Sequence, residues 1–343
     1  MSAPESTVQS SEIPEYNYRQ AGVDIDEGNA LVKEIGRLRQ RTEHRHKLHQ
    51  AFGLFAASFD LSPWKEPVIV TGCDGVGTKL ELLLQHDLLE TAGKDLVAMN
   101  VNDILTTGGD PVMFLDYLGV PRIERHKLVR IVTGIVEHLE ACGCVLAGGE
   151  TAEMPGMVAE GMVELSGFAI GVAEKSALLN PSGIQADDVV IGYASDGFHA
   201  NGWSLVRRIL SDQAAQFSEQ EIVGLLTPTR LYHDVVNDLR DAGVAVRGYA
   251  HITGGGLPEN VARLLGHDRL GADLEVPAWP DEVARRVVGF VAEPEAFRTF
   301  NMGVGWVAVV PPDAVDQALK AGPGGFVLGR INRQPGVRCR VVA

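Results

Sequence analysis

Hydrophobic and polar positions alternate along this chain in two rhythms. Between residues 26 and 50, DEGNALVKEIGRLRQRTEHRHKLHQ, apolar Leu31, Ile35 and Leu38 recur at helical spacing and the far end is basic. One helix is expected there. His44, His46 and His49 lie at i, i+2 and i+5, a spacing that does not put three imidazoles on one face. Pro67-Val-Ile-Val-Thr71 is a β-branched run and reads as a strand, followed by a glycine turn and the helical LELLLQHDLLE. Leu96–Met99 reads as a further short strand leading into NVNDILTTGGDP, a helix start stopped by Gly108-Gly109. VMFLDYLGV (112–120) is a strand. HKLVRIVTGIVEHLEACG is strongly amphipathic, with Leu128, Ile131, Ile135 and Leu139 on one stripe. CVLAGGE reads as strand then turn, and 161–174 as a long strand.

After Lys175 the style restarts. LNPSGIQADDVV carries turn residues and VVIGYA (189–194) opens a new strand. NGWSLVRRIL and the segment after HITGGG read as helices, and Val304–Val310 and Phe326–Leu328 as late strands. The pattern predicts two units of mixed α/β (α+β) class: 16–175 and 176–343, behind a mobile tail at 1–15.

Composition sharpens this picture in two ways. Glycine supplies 39 of 343 residues, clustered at loop–helix junctions, where freed backbone amides can approach an anion. Net charge is −15, which disfavours nucleic acid as a partner and leaves small phosphorylated ligands open. No apolar run approaches the roughly 20 residues of a membrane span, and the N-terminus lacks a basic, apolar leader. A cytoplasmic protein is expected. Cys142 and Cys144 form C-x-C, not a C-x-x-C pair, so free thiols are expected.

Five polar clusters stand out. Asp74-Gly75-Val76-Gly77-Thr78-Lys79 resembles a phosphate loop, yet its Thr and Lys are reversed and Asp74 is an acid inside it. A carboxylate beside triphosphate is tolerable when a divalent cation lies between them; a bland turn is the alternative. Asn102-Asp103, near Asp95 and Asn100, could cap a helix, or could bring Asp103 to Asp74 if both end neighbouring strands. GGETAEMPG (148–156) places Glu150 at a strand end, with Thr151 and Glu153 next. SDGFHANG (195–202) sets His199 and Asn201 between glycines. HITGGG (251–256) joins His251 and Thr253 to a glycine run that opens a helix. Each also has a purely structural reading. Together they supply acids for Mg²⁺, amides and a lysine for phosphate, and histidines for a polar substrate. G-x-S-x-G, C-x-x-C and H-E-x-x-H are absent, which argues against a serine hydrolase or a catalytic zinc.

The motifs YRQAGVDIDEGN (18–29), DGVGTK (74–79), VAMNVNDIL (97–105), FLDY (114–117), GGETAEMPGM (148–157), HANGWSLVR (199–207), LLTPTRLY (225–232), AHITGGGLPEN (250–260) and RTFNMGVG (298–305) resemble, in order and over most of the chain, the phosphoribosylformylglycinamidine cyclo-ligase (AIR synthetase) family of purine biosynthesis. The resemblance implies a homodimer of two-domain subunits whose N-terminal sheets pair into a barrel. It also implies ATP in a glycine-lined cleft near the dimer interface, and Mg²⁺. The implied reaction closes formylglycinamidine ribonucleotide to aminoimidazole ribonucleotide, releasing ADP and phosphate.

On that resemblance Asp74, Asp103 and Glu150 are expected at the metal. Asp74, Gly75, Gly77, Thr78, Lys79, Asn102, Gly149, Thr151, Gly254 and Gly255 are expected around ATP. Glu153, His199, Asn201 and Thr253 are expected at the substrate, with His199, His251 and Lys79 as catalytic groups. The chain departs from the family pattern at Arg19, Asp196, Ala200, Asn100 and Glu164. Selenophosphate synthetase fits less well because no cysteine precedes Cys73, and formylglycinamidine ribonucleotide synthetase is much longer. Thiamine-monophosphate kinase shares the superfamily, but GGETAEMPG and HITGGG favour the cyclo-ligase. A non-catalytic ATP-binding scaffold is the reading from a different class, and the intact acids, lysine and histidine argue against it.

Overall fold

The computed structural model describes residues 17–46, 48–49, 55–266 and 270–342; the tail expected at 1–15 lies outside them. The first unit comprises α1 (Ile25–Arg39), β1 (Pro67–Gly75), α2 (Lys79–Gln85), α3 (Leu89–Thr106), β2 (Asp110–Val120), α4 (Arg125–Cys142), β3 (Val145–Glu153) and β4 (Glu164–Glu174). Its sheet runs β1-β4-β2-β3. The second unit comprises β5 (Val189–Ala194), α5 (Trp203–Asp212), α6 (Glu219–Leu225), α7 (His233–Asp241), β6 (Gly248–His251), α8 (Gly256–Leu265), β7 (Gly271–Pro277), α9 (Glu282–Val288), α10 (Glu293–Thr299), β8 (Val304–Val310), α11 (Val315–Ala321), β9 (Gly325–Asn332) and β10 (Gly336–Val342). Its sheet runs β10-β7-β9-β5-β8-β6, with fully buried β8 next to β5. This is a two-domain, mixed α/β fold, and neither sheet closes on itself within the chain.

Helix α1 starts where Asp24 accepts from the amides of Asp26 and Glu27, and it ends in basic residues that suit its dipole. It is shorter than expected, giving way at Gln40–Thr42 to a single 3₁₀ turn. Buried Arg39 and Thr42 leave the helix to serve β3: Arg39 Nε donates to the Leu146 carbonyl at 3.1 Å, and Thr42 Oγ1 accepts from the Leu146 amide at 3.1 Å.

The strand expected at Leu96–Met99 is helix. It is the middle of α3, thirteen of whose eighteen residues are buried. This helix lies between the sheet, α4 and strand β6. It is therefore buried on several sides, with Asp95, Asn100 and Asn102 among its buried residues, and shows little helical period. Its crossing with α4 is a backbone contact: a Cβ on Gly93 would collide with the Ile131 carbonyl, and one on Gly134 with the Glu90 carbonyl. LELLLQHDLLE is not one helix either; the chain breaks between α2 and α3 at Asp87, which takes a positive φ of 55°.

Strand β4 pairs antiparallel with β1 and β2, and β2 pairs parallel with β3. Asp74, Gly167, Asp116 and Gly149 form one row across the four strands, on the face covered by helices. The opposite face is open and carries Ile69, Phe168 and the exposed thiol of Cys73. All four cysteines are free.

Candidate active site

The end of β1 is fixed by one side chain of α3. Asn100 Oδ1 accepts from the Asp74 amide at 2.8 Å, while its Nδ2 donates to the carbonyls of Asp74 at 3.1 Å and Leu96 at 2.8 Å. Asn100, where the resemblance led cysteine to be expected, works here by hydrogen bonding. One turn further along α3, Asp103 Oδ1 lies 2.9 Å from His251 Nδ1, at the end of β6. The second ring nitrogen of His251 lies 3.4 Å from Asn102 Nδ2. Burial raises the Asp74 carboxyl above its ordinary value, the nearby charge of Asp103 adds to this, and His251 opposes it. Asp74 and Asp103 therefore converge, although Asp103 arrives on a helix and not at a strand end.

Glycine turns from both domains meet around this pair. Gly77, at φ 68°, faces the Ala200 carbonyl, which would lie 3.9 Å from a Cβ there, and Thr78 Oγ1 lies 3.0 Å from Ser204 Oγ. Asn201 spans the seam, with Nδ2 3.8 Å from Met99 Sδ and Oδ1 facing Gly254. Asn260 donates to the carbonyls of Thr253, Gly254 and Gly256 and so shapes the glycine loop that opens α8. Asp74, Gly77, Thr78, Asp103, Asn201, His251 and Gly254 come together at this interdomain seam, while Gly75, Thr253 and Gly255 flank it along the chain.

Other expected site residues lie elsewhere. Lys79 is not presented to the seam: it is fully buried, with Nζ 2.7 Å from Asp95 Oδ2 and 2.7 Å from the Thr227 carbonyl. Asn102 is also buried, donating to the Arg230 carbonyl at 2.9 Å and accepting from the Tyr232 amide at 3.0 Å. His199 is 1% exposed. Burial holds its ring well below the usual imidazole range, hence neutral, and Nε2 accepts from the amides of Asp196 at 3.2 Å and Arg230 at 3.5 Å. Its carbonyl accepts from Trp203 Nε1 at 2.7 Å, so this histidine knits two loops together. Glu153 likewise spends both oxygens on backbone, accepting from Asp24 N at 2.6 Å and Ile123 N at 2.7 Å.

GGETAE is the body of strand β3, not a turn, and β3 is the far edge of the sheet. Glu150 is in register with Tyr117, Ser166 and Gly75. Three strand spacings of about 4.8 Å separate it from β1, about 14 Å in all, and its row points to the opposite face from Asp74. Glu150, Gly149 and Thr151 therefore do not join Asp74 and Asp103 within one chain. Among the described residues no group of three or more His, Cys, Asp or Glu is close enough to hold a metal.

Gly148–Thr151 instead line a cavity of about 640 Å³ between β3, α1 and residues 55–57. Asp116 lines it too. No site role was expected of this residue, although it lies in the FLDY motif and is an acid inside the apolar strand VMFLDYLGV. Asp116 is 7% exposed, and burial pushes its carboxyl up to about 7. Its side chain fills the space above Gly149, where a Cβ would overlap the carboxylate.

Two family models match the chain. The N-terminal domain of AIR synthase related proteins matches residues 56–173, and the C-terminal domain matches residues 185–342. A curated relative named phosphoribosylformylglycinamidine cyclo-ligase, from Sorangium cellulosum, is 45% identical over 330 residues, covering 92% of this chain and 94% of the relative. Another of that name, from Thermosynechococcus vestitus, is 44% identical over 312 residues, covering 88% and 91%. Among solved structures, the hydrogenase maturation protein HypE in complex with ATP superposes with TM-score 0.68 at 16% identity, covering 92% of this chain and 91% of that one. Thiamine-monophosphate kinase from Stenotrophomonas maltophilia gives TM-score 0.63 at 17% identity, covering 88% and 94%. At such identities these two are likenesses of fold. Among the described residues no helix is long and apolar enough to cross a membrane.

Proposed function

The chain belongs to the AIR synthase related family, and from that premise we propose that it is a phosphoribosylformylglycinamidine cyclo-ligase whose chemistry takes place in the seam between its domains. The observation that carries this reading is the match at about 45% identity over about nine-tenths of the chain to enzymes of that name. The enzyme closes the imidazole ring of aminoimidazole ribonucleotide in purine biosynthesis, using ATP, in the cytoplasm.

The formamide oxygen of the substrate is a poor leaving group. In the proposed course it attacks the γ-phosphorus of ATP, and the bond to the β–γ bridging oxygen breaks to release ADP. The amidine nitrogen then adds to the activated carbon, phosphate departs with the former formyl oxygen, and loss of a proton gives the aromatic ring. Such chemistry asks a protein to align two reactants and to neutralise phosphate charge. Gly75, Gly77, Thr78, Gly254 and Gly255 supply backbone for close approach. His251, oriented by Asp103, is the group assigned to proton transfer, and Asn201 and Thr253 are assigned to the substrate.

Asp74 and Asp103 fit a magnesium ion, since two converging acids repel until a cation joins them and Mg²⁺ commonly takes one or two carboxylates, completing its shell with phosphate and water. Bound there, it would offset triphosphate charge. We further propose a homodimer formed through the open sheet face. The apolar residues Ile69 and Phe168, 56% and 42% exposed on neighbouring strands, support that reading. In the dimer, Glu150 at the β3 edge serves the nucleotide of the second copy.

Purified protein given ATP and formylglycinamidine ribonucleotide is expected to release ADP only when both are present, with aminoimidazole ribonucleotide formed in equal amount. ATP turnover independent of the ribonucleotide, or none, refutes the assignment. For the dimer, mixing Asp74→Asn with Glu150→Gln subunits is expected to restore activity to part of the population; no recovery in verified mixed dimers refutes the sharing.

A further inference from the structure

The position of Lys79 is the least expected feature of the molecule. Its ammonium belongs to a motif that reads as phosphate-binding, yet both it and the Asp95 carboxylate are 0% exposed. A fully buried ion pair is a poor source of stability, because desolvation of two charges offsets most of their attraction; its better-attested use is to fix register. The surroundings show what it registers. Lys79 begins α2 and Asp95 lies in α3, both in the N-terminal domain, while the remaining partners come from the C-terminal domain. Lys79 Nζ donates to the Thr227 carbonyl and stands 5.6 Å over the Trp203 ring. Asp95 Oδ1 accepts from both the amide and the hydroxyl of Thr229, each at 2.7 Å. His138 of α4 backs the same loop at Thr229, and burial holds its ring down to about 4, so it adds no charge. One and three residues beyond Thr229, Arg230 and Tyr232 bond through their backbones to Asn102, the neighbour of Asp103. The amide of Arg230 also bonds His199, which holds the 195–202 turn.

We propose that the Lys79–Asp95 pair is an interdomain latch: it clamps loop 225–232 onto α3, and so sets Asp103 at hydrogen-bond distance from His251. Lys79 is then a positioning residue and makes no contact with phosphate. This inference rests on the cyclo-ligase reading, because its test measures that activity.

The test is a double-mutant cycle on the full-length enzyme with Lys79→Met, Asp95→Asn and both together. Each single change strands one buried charge; the double change removes both. Each single variant is expected to lose at least about tenfold in kcat per folded molecule, with KM for ATP within about twofold of wild type. The double variant is expected to recover to within about threefold of wild-type kcat. Thr229→Val, which removes only one hydroxyl contact to Asp95, is expected to lower kcat by a smaller factor, again at unchanged KM, and it keeps the test open if a single charge variant does not fold.

Two results overturn the proposal. In one, Lys79→Met raises KM for ATP at least tenfold, Asp95→Asn behaves as wild type, and the double variant is as poor as Lys79→Met, so that lysine meets the nucleotide. In the other, every variant melts lower but keeps wild-type kcat per folded molecule, so that the pair only stabilises. Absence of ring closure by the wild-type enzyme would instead refute the functional reading on which the latch depends.

Discussion

Replacing Asp116 by Asn isolates one buried proton. The residue is 7% exposed and its carboxyl is raised from 3.8 to about 7, chiefly by burial. The unfolded chain releases this proton near pH 4, whereas the folded chain holds it until about pH 7. Between those values the native state binds more protons than the unfolded state, so stability falls as pH rises, and it levels off above pH 7. Each pH unit costs about 1.4 kcal/mol, so the full window amounts to about 4 kcal/mol. From pH 5.5 to 8 the wild type crosses about 1.5 units of it, a loss of about 2 kcal/mol from this group. Asn is nearly isosteric and does not titrate. At roughly 2–4 °C per kcal/mol for a domain of this size, the melting temperature of Asp116→Asn is expected to gain about 4–8 °C on wild type between pH 5.5 and pH 8. Scanning calorimetry of both proteins in matched buffers reads this directly, since every other titrating group cancels in the difference. A gap between the two proteins that does not change with pH, or that narrows on going to pH 8, would show that Asp116 is ionised in the folded state and that burial does not control it.

Asp74→Asn is expected to lower turnover at least about a hundredfold while leaving the sedimentation behaviour of the protein unchanged, as suits an acid proposed to hold the cation that offsets phosphate charge; near-normal turnover would refute that assignment. His251→Gln is expected to lower kcat by about 10²–10⁴ if this ring moves a proton, and a rate within threefold of wild type would reduce it to a packing role. Glu153→Ala strands two backbone amides and is expected to destabilise the protein by about 1–3 kcal/mol in urea unfolding, with KM for the ribonucleotide unchanged; a large rise in KM at full stability would restore Glu153 to the substrate.

Where a signal is local, the amino-acid order carried it. Helix α4 shows its apolar stripe because one side alone packs while the other is wetted, and it stops at Gly143, which takes a φ of 71°. Strand β5 ran over the residues expected, bounded by turns. The glycine turns at 75–77, 202 and 254–256 were legible because positive φ or close backbone approach is chemistry that few residues other than glycine permit. Helix α3 was misread in its middle because burial against the sheet, α4 and β6 leaves its apolar positions on more than one side and weakens the period. The shared seam of Asp74, Asp103, Asn201 and His251 was foreseen as a gathering of motifs, though not in its geometry.

The sequence alone determined the two mixed α/β units, the glycine turns and the family, since these rest on short-range backbone chemistry and ordered motifs. Only the tertiary structure decided where each charged side chain spends its charge. Lys79 and Asp74 are five residues apart in one motif, yet one is sealed against Asp95 and the other borders the seam. Glu150 is parted from Asp74 by the β1-β4-β2-β3 strand order, which is not the order of the chain. The destination of a charge depends on which remote segments exclude water from it, and that is fixed when the domains pack, not by its neighbours in sequence.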